Sequence, residues 1–192
     1  MRNLLISELV KSNIKKNIYL IINDLGFSVV EPFKKKYPDR IFNAGVSEQN
    51  MMGMAAGIAS EKCIVFVYSI ANFSTFRCAE QIRNDIDYHK LPVTIVSVGS
   101  GLGYGNLGYT HHALQDYALM RSFPNMMILS PGNNNELISI IKYIKKNPQP
   151  SYLRLDKKEH SPTKFKKLIT SPGKIFKLID GDKKKIILTT GS

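Results

Sequence analysis

Glu48 is the carboxylate whose setting most suggests chemistry. It stands in Arg40-Ile-Phe-Asn-Ala-Gly-Val-Ser-Glu-Gln-Asn-Met-Met-Gly-Met-Ala-Ala-Gly-Ile-Ala59, which reads as a short strand, a tight Ala44-Gly45 turn and a helix opened by Ser47-Glu48-Gln49. A helix N-terminus favours an anion through its free N–H groups and its dipole. Ser47 as N-cap and Glu48 as a first-turn acid would explain the local pattern without any chemistry. The helix is lined with Met, Ala and Gly rather than Leu, so something packs close against it. A second candidate follows a glycine-dense loop, Gly99 to Gly108, where Thr110-His111-His112 offers imidazoles able to donate a proton or bond a hydroxyl near neutral pH. A hydrogen-bonded structural histidine fits the same spacing. The loop lacks the Gly-Lys-Ser/Thr of a P-loop and the dinucleotide spacing, so it carries no phosphate fingerprint. Only His89 and His160 remain as further imidazoles, at no metal-ligand spacing, and a zinc site is rejected.

The elements that must position these groups alternate between strand and helix. Apolar spacing predicts a helix over 3–14, a buried strand over Ile18–Ile22, and a turn at Asn23-Asp24-Leu25-Gly26. A short helix over 27–37, broken at Pro32, leads to a strand at Ile41-Phe42. After the Glu48 helix come a strand over 63–68 and one long helix over 69–88, with Phe73, Phe76, Ala79, Ile82 and Ile86 on one face. Such a face is ordinarily core, and Arg77, Glu80 and Arg83 would be a solvated side with intrahelical pairs. Strands over 91–98, 126–129 and 151–155 alternate with helices over 113–120 and 136–146, the last with Asn133, Asn134 or Asn135 as N-cap. The pattern predicts an α/β three-layer sandwich on a mostly parallel sheet. Open sheets of that kind bind ligands at the carboxyl ends of their strands.

Composition shifts near residue 156 to Lys, Ser and Pro. Residues 1–156 are expected to form one domain, 157–184 a linker, and 185–192 the first strand of a truncated second domain. No apolar run approaches the roughly 20 residues that span a bilayer. No secretory leader is recognised, and Cys63 and Cys78 read as buried thiols of a reduced, cytoplasmic protein. The net charge of +12 lies in lysine runs such as Lys34-Lys35-Lys36 and Lys183-Lys184-Lys185 without interleaved aromatics, so neither nucleic acid nor membrane is expected as a partner.

Taken together the motifs are sharper than any one of them. Phe42-Asn-Ala-Gly-Val-Ser-Glu-Gln-Asn-Met-Met-Gly-Met-Ala-Ala-Gly57 resembles the pyrimidine-binding domain of transketolases, with support from Asn23-Asp-Leu-Gly26, Gly108-Tyr-Thr-His-His112, Phe123-Pro-Asn125 and Pro150-Ser151. The likeness is strongest to the C-terminal subunit of split, two-component transketolases. It implies a transferase of aldehyde or ketone units that depends on thiamine diphosphate and moves a two-carbon ketol unit from a ketose (phosphate) to an aldose (phosphate). It also implies that Glu48 meets the aminopyrimidine, that Asp24, Leu25, Phe73 and Phe76 surround it, and that His111 serves the catalytic pocket. Ser28, Arg77, His111, Arg154 and Lys157, with Arg2 more loosely, fall where substrate or its phosphate is met. The family's diphosphate- and Mg²⁺-binding Gly-Asp-Gly…Asn motif is absent from these residues, so an N-terminal partner subunit is implied, in a heterotetramer. The Met- and Gly-rich face of the Glu48 helix would then be an intersubunit surface. Leu107 replaces an aspartate, Gly99 a histidine, Ile70 an aromatic residue and Lys157 an arginine of the family pattern, which leaves the sugar open. The beta component of a 2-oxo acid dehydrogenase and a non-catalytic regulatory homologue are the alternatives.

Overall fold

The carboxyl ends of six parallel strands all open on one edge, and the candidate residues gather around it. The computed structural model describes residues 1–12 and 17–157, together with Gly181, Ile186–Leu188 and Thr190. The order is α1 (Arg2–Ser12), β1 (Ile18–Ile22), α2 (Glu31–Lys36), β2 (Ile41–Asn43), α3 (Glu48–Ser60), β3 (Ile64–Ile70), α4 (Phe73–Phe76), α5 (Ala79–Gln81), a π-helical turn over Ile82–Asp87, and β4 (Val93–Val98). Then follow α6 (Asp116–Arg121), β5 (Met127–Leu129), α7 (Asn134–Lys146) and β6 (Ser151–Leu155). The sheet runs β2-β1-β3-β4-β6-β5, parallel throughout.

Strands buried on both faces must be apolar on both, and these are. Ile18, Leu20, Phe66, Tyr68, Val96, Val98, Leu153 and Leu155 face a core shared with α1, α2 and α7. Ile21, Val65, Val67, Val93, Ile95 and Tyr152 face a second core with α3, the π-helical turn and α6. The expected three-layer sandwich is therefore present.

Several local expectations are corrected. Pro32 opens α2 instead of breaking it, because the first turn needs no N–H from that position. The long helix over 69–88 does not form. β3 continues to Ile70, and the segment after it breaks at Arg77-Cys78, with Cys78 at φ −128°. The Ser74 and Thr75 hydroxyls bond back to the carbonyls of Ile70 and Ala71 at 3.1 and 2.8 Å, competing with a regular ladder. Ser47 occupies the N-cap position, but its hydroxyl donates to the Ala44 carbonyl at 2.6 Å and caps no helix N–H. Met51 and Met52 are fully buried in this chain's own core, so only the Gly53 and Gly57 side of α3 is open for a partner. Asn133 is the N-cap of α7, accepting from the Glu136 N–H at 3.0 Å. The expected linker and final strand lie outside the described residues except at their named members, and Ile186–Leu188 are exposed and in no strand.

Candidate active site

β1 leads to β2 on one side of itself, and β2 then passes through α3 to β3 on the other side of β1, so chain order reverses between β1 and β3. A crevice forms at such a reversal. Glu48, the first residue of α3, drops its carboxylate there and is only 5% exposed. Two donors meet it. Asn23, directly after β1, gives its Nδ2 to Oε1 at 3.0 Å, and Arg77 places Nη1 at 3.1 and 3.2 Å from Oε1 and Oε2. A buried carboxylate without such partners would be costly to keep charged. The two sides differ in access: Asn23 is buried, while the Arg77 side chain is 51% exposed.

The Arg77 guanidinium also lies over the Phe73 ring, 4.3 Å from its centre. Phe73 meets His111 edge-on at 5.1 Å, and the Tyr104 ring stands 5.8 Å from His111 on another side. Thr110 Oγ1 and His111 Nδ1 are 2.9 Å apart, which leaves Nε2 as the ring nitrogen able to meet a ligand. Asn72 pins this turn by donating to the Thr110 carbonyl at 2.7 Å. His112 has a structural role, its Nε2–H donating to the Gly105 carbonyl at 2.8 Å. Glu48, Arg77, Phe73 and His111 therefore form one continuous cluster. Phe76 lines an open pocket of about 220 Å³ with Asn72, Tyr109 and Gln115.

Asp24 and Ser28 both have left-handed backbones, φ 58° and 62°. Asn43 at the end of β2 fixes Asp24 twice, accepting from its N–H at 2.9 Å and donating to its carboxylate at 3.2 Å. Ser28 is exposed and its N–H donates to Glu31 Oε1 at 2.8 Å, and Leu25 is partly buried beside Asp24. Across the edge the Lys157 ammonium sits 4.6 Å over the Tyr104 ring, and Arg2 hydrogen-bonds the Tyr68 hydroxyl. Burial raises Tyr68 to about 12, against the pull of that cation. Tyr104 packs on Gly99, where a Cβ would run into its ring.

Arg154 is engaged differently from its neighbours. Its Nε donates to Asp116 Oδ2 at 2.7 Å, its Nη2 to the Ala113 carbonyl at 2.8 Å, and it stacks on Tyr117 at 4.4 Å. Tyr152 gives its hydroxyl to the same Asp116 oxygen at 2.7 Å. Burial, then the Asp116 charge, pushes the Tyr152 hydroxyl well above its ordinary value. Arg154 thus holds the end of the glycine loop in place. Asn23, Asn43, Tyr104 and Asp116 were not singled out by sequence reasoning. An asparagine after a strand reads simply as a turn residue. Asn125 of Phe123-Pro-Asn125 is structural, bonding buried Asp87 through its N–H at 3.1 Å and through its amide. Among the described residues no three His, Cys, Asp or Glu side chains cluster as a metal site, and no helix is long and apolar enough to cross a membrane.

Residues 9–162 match the family model for the transketolase pyrimidine-binding domain. The chain belongs to that family. It is 38% identical over 130 residues to an apulose-4-phosphate transketolase subunit of Actinobacillus succinogenes, an alignment covering 68% of this chain and 42% of that one. A 1-deoxy-D-xylulose-5-phosphate synthase of Halothermothrix orenii is 37% identical over 131 residues, covering 66% and 20%. Among solved structures, a split gene transketolase described as an inactive beta4 tetramer superposes with a TM-score of 0.74 at 32% identity, over 92% of this chain and 55% of that one. The chain spans about half the length of the split transketolases it matches.

Proposed function

We propose that this chain is the pyrimidine-side subunit of a two-component transketolase dependent on thiamine diphosphate. The observation that carries the reading is Glu48, a carboxylate 5% exposed at the strand-order reversal, with an aromatic ring and an imidazole beside it. Those residues suit a protonatable aromatic ring. A carboxylate accepts a hydrogen bond from a ring N–H, and in a dry crevice it can share that proton. The cofactor, when bound, supplies the electron sink for breaking a carbon–carbon bond beside a carbonyl. This chain's part is to hold the pyrimidine through Glu48, with Asp24, Leu25, Phe73 and Phe76 around it, and to present His111 Nε2 to the sugar. Arg2, Ser28, Arg77 and Lys157 supply the polar and cationic groups for a hydroxylated, phosphorylated substrate. Arg154 serves that site by positioning Ala113 and the loop before it.

A partner subunit would bring the diphosphate- and Mg²⁺-binding half, in a heterotetramer. An apolar rim of Val46, Leu102, Leu107, Tyr109 and Leu114, each more than half exposed, borders the crevice and supports a covering surface there. The relatives described as a transketolase subunit and as a split gene enzyme support a divided enzyme. The synthase relatives favour a second reading, in which the assembled enzyme decarboxylates a 2-oxo acid before transfer. The test is to assemble the chain with a diphosphate-binding partner and to follow two-carbon transfer from a ketose against carbon dioxide release from a 2-oxo acid. Glu48→Ala is expected to lower turnover by about 10²-fold or more, the scale of a lost proton-transfer group. Unchanged turnover in that variant would sink the catalytic reading and leave the non-catalytic homologue.

A further inference from the structure

Asn23 pairs with Glu48 in a way that its own stability does not explain. The residue is 2% exposed, and its Nδ2 donates to Glu48 Oε1 at 3.0 Å. A carboxylate offers only acceptors, so the amide must turn its NH₂ toward Glu48 and its Oδ1 away. That Oδ1 is buried and has no hydrogen-bond partner among the described residues. A buried unsatisfied carbonyl is unfavourable, and an apolar side chain of the same shape would remove it, at the cost of leaving Glu48 Oε1 with Arg77 as donor. Inside β6, by contrast, Tyr152 is fully buried and its hydroxyl is satisfied by Asp116. Arg77 cannot hold Glu48 to one orientation, since its Nη1 lies equally close to both oxygens and half its side chain is in solvent. Asn23 contacts Oε1 alone.

We infer that Asn23 is a positioning residue for Glu48: its buried amide fixes one carboxylate oxygen and leaves the other, met by the half-exposed Arg77, for the pyrimidine ring, at the expense of the fold. The inference rests on Glu48 being the cofactor's partner. Its signature is that binding falls on substitution while stability holds. A residue kept for packing would move them together.

The experiment compares wild type, Asn23→Leu and Asn23→Asp. Melting temperature is measured on the chain, and thiamine diphosphate affinity by calorimetry on the chain assembled with its diphosphate-binding partner. Asn23→Leu is expected to melt close to the wild-type temperature, the relieved Oδ1 offsetting the donor lost to Glu48, while binding about tenfold more weakly. In Asn23→Asp a carboxyl replaces the donor, so binding is expected to be weak near pH 8 and to recover relative to wild type near pH 5, where a protonated carboxyl can again donate to Glu48. A clearly lower melting temperature in Asn23→Leu, whether affinity is weaker or unchanged, overturns the inference, and so does Asn23→Asp binding like wild type at both pH values. If the wild-type complex binds no thiamine diphosphate, the cofactor reading fails first and this one with it. If wild type binds and the variants bind equally well, only the role of Asn23 fails.

Discussion

Removing the Asp116 carboxylate should do more damage than any other single change beside the site. Asp116 is fully buried, and the Arg154 side chain is 12% exposed. One Asp116 oxygen takes two short bonds, from Arg154 Nε and from the Tyr152 hydroxyl, both at 2.7 Å. Asp116→Ala leaves a guanidinium buried without a counter-charge and a buried phenol without an acceptor. Breaking a buried pair by deleting one partner costs about 3–5 kcal/mol, and the phenol is part of that figure because it shares the same oxygen. At about 2–4 °C per kcal/mol for a chain of this size, the melting temperature should fall by about 6–20 °C. The cleaner assay is urea unfolding, where the midpoint should drop at constant m-value. Asp116→Leu alone, Arg154→Met alone and the double variant Asp116→Leu/Arg154→Met complete a cycle. The apolar pair is expected to recover most of the loss, since well-packed apolar replacements of buried ion pairs are often neutral. A loss below about 1 kcal/mol for Asp116→Ala, or simple additivity in the cycle, would refute the buried-strut account. Arg154 would then be available to a substrate.

Two further expectations follow from neighbouring groups. Burial, and next the Glu48 charge, raise the Cys78 thiol from 9.0 to about 12. The unfolded thiol loses its proton first, so this contribution is intact below pH 9 and is lost as pH climbs toward 12, by about 1.4 kcal/mol per unit within that window; Cys78→Ala should flatten the alkaline fall in urea midpoint between pH 8 and 10, and an unaltered slope would show that the thiol is not its source. Arg77→Met, by contrast, removes a half-exposed cation and leaves the buried Glu48 carboxylate with Asn23, so it should cost about 1–3 kcal/mol, and a loss above that of Asp116→Ala would mean that the crevice is closed in solution.

What could be read from the sequence, and what could not, divides along the range of the interactions. Continuous apolar runs such as Ile18–Ile22 and residues 64–68 identified strands buried on both faces, and alternation with helices identified the parallel layer. Glu48 and His111 were legible through their motifs, Phe73 and Arg77 through the family resemblance alone, and the structure brings the four together. The break at Arg77-Cys78 was hidden because it depends on where the Ser74 and Thr75 hydroxyls turn, and a face of Phe, Ala and Ile has helical spacing whether or not the ladder is regular. That break matters, since it swings Arg77 toward Glu48. The Arg154 strut joins residues 38 apart in sequence, beyond any local periodicity. Asn23 was masked by the Asp-Leu-Gly turn that follows it.

The protein uses the same chemical pair, arginine against a buried carboxylate, in two places and to opposite ends. At Asp116 both partners are enclosed, the cation is further tied to a carbonyl and an aromatic ring, and separation costs about 3–5 kcal/mol. That pair cannot exchange partners and serves as a strut for the loop bearing His111. At Glu48 the carboxylate is also buried, but its cation reaches in from solvent and can return to it. An incoming ring nitrogen could displace Arg77 at little cost, while Asn23, which cannot leave, keeps the carboxylate in place. Exposure of the cation thus separates a structural pair from one that can hand its carboxylate to a ligand, and on that criterion Glu48 is the group open to exchange.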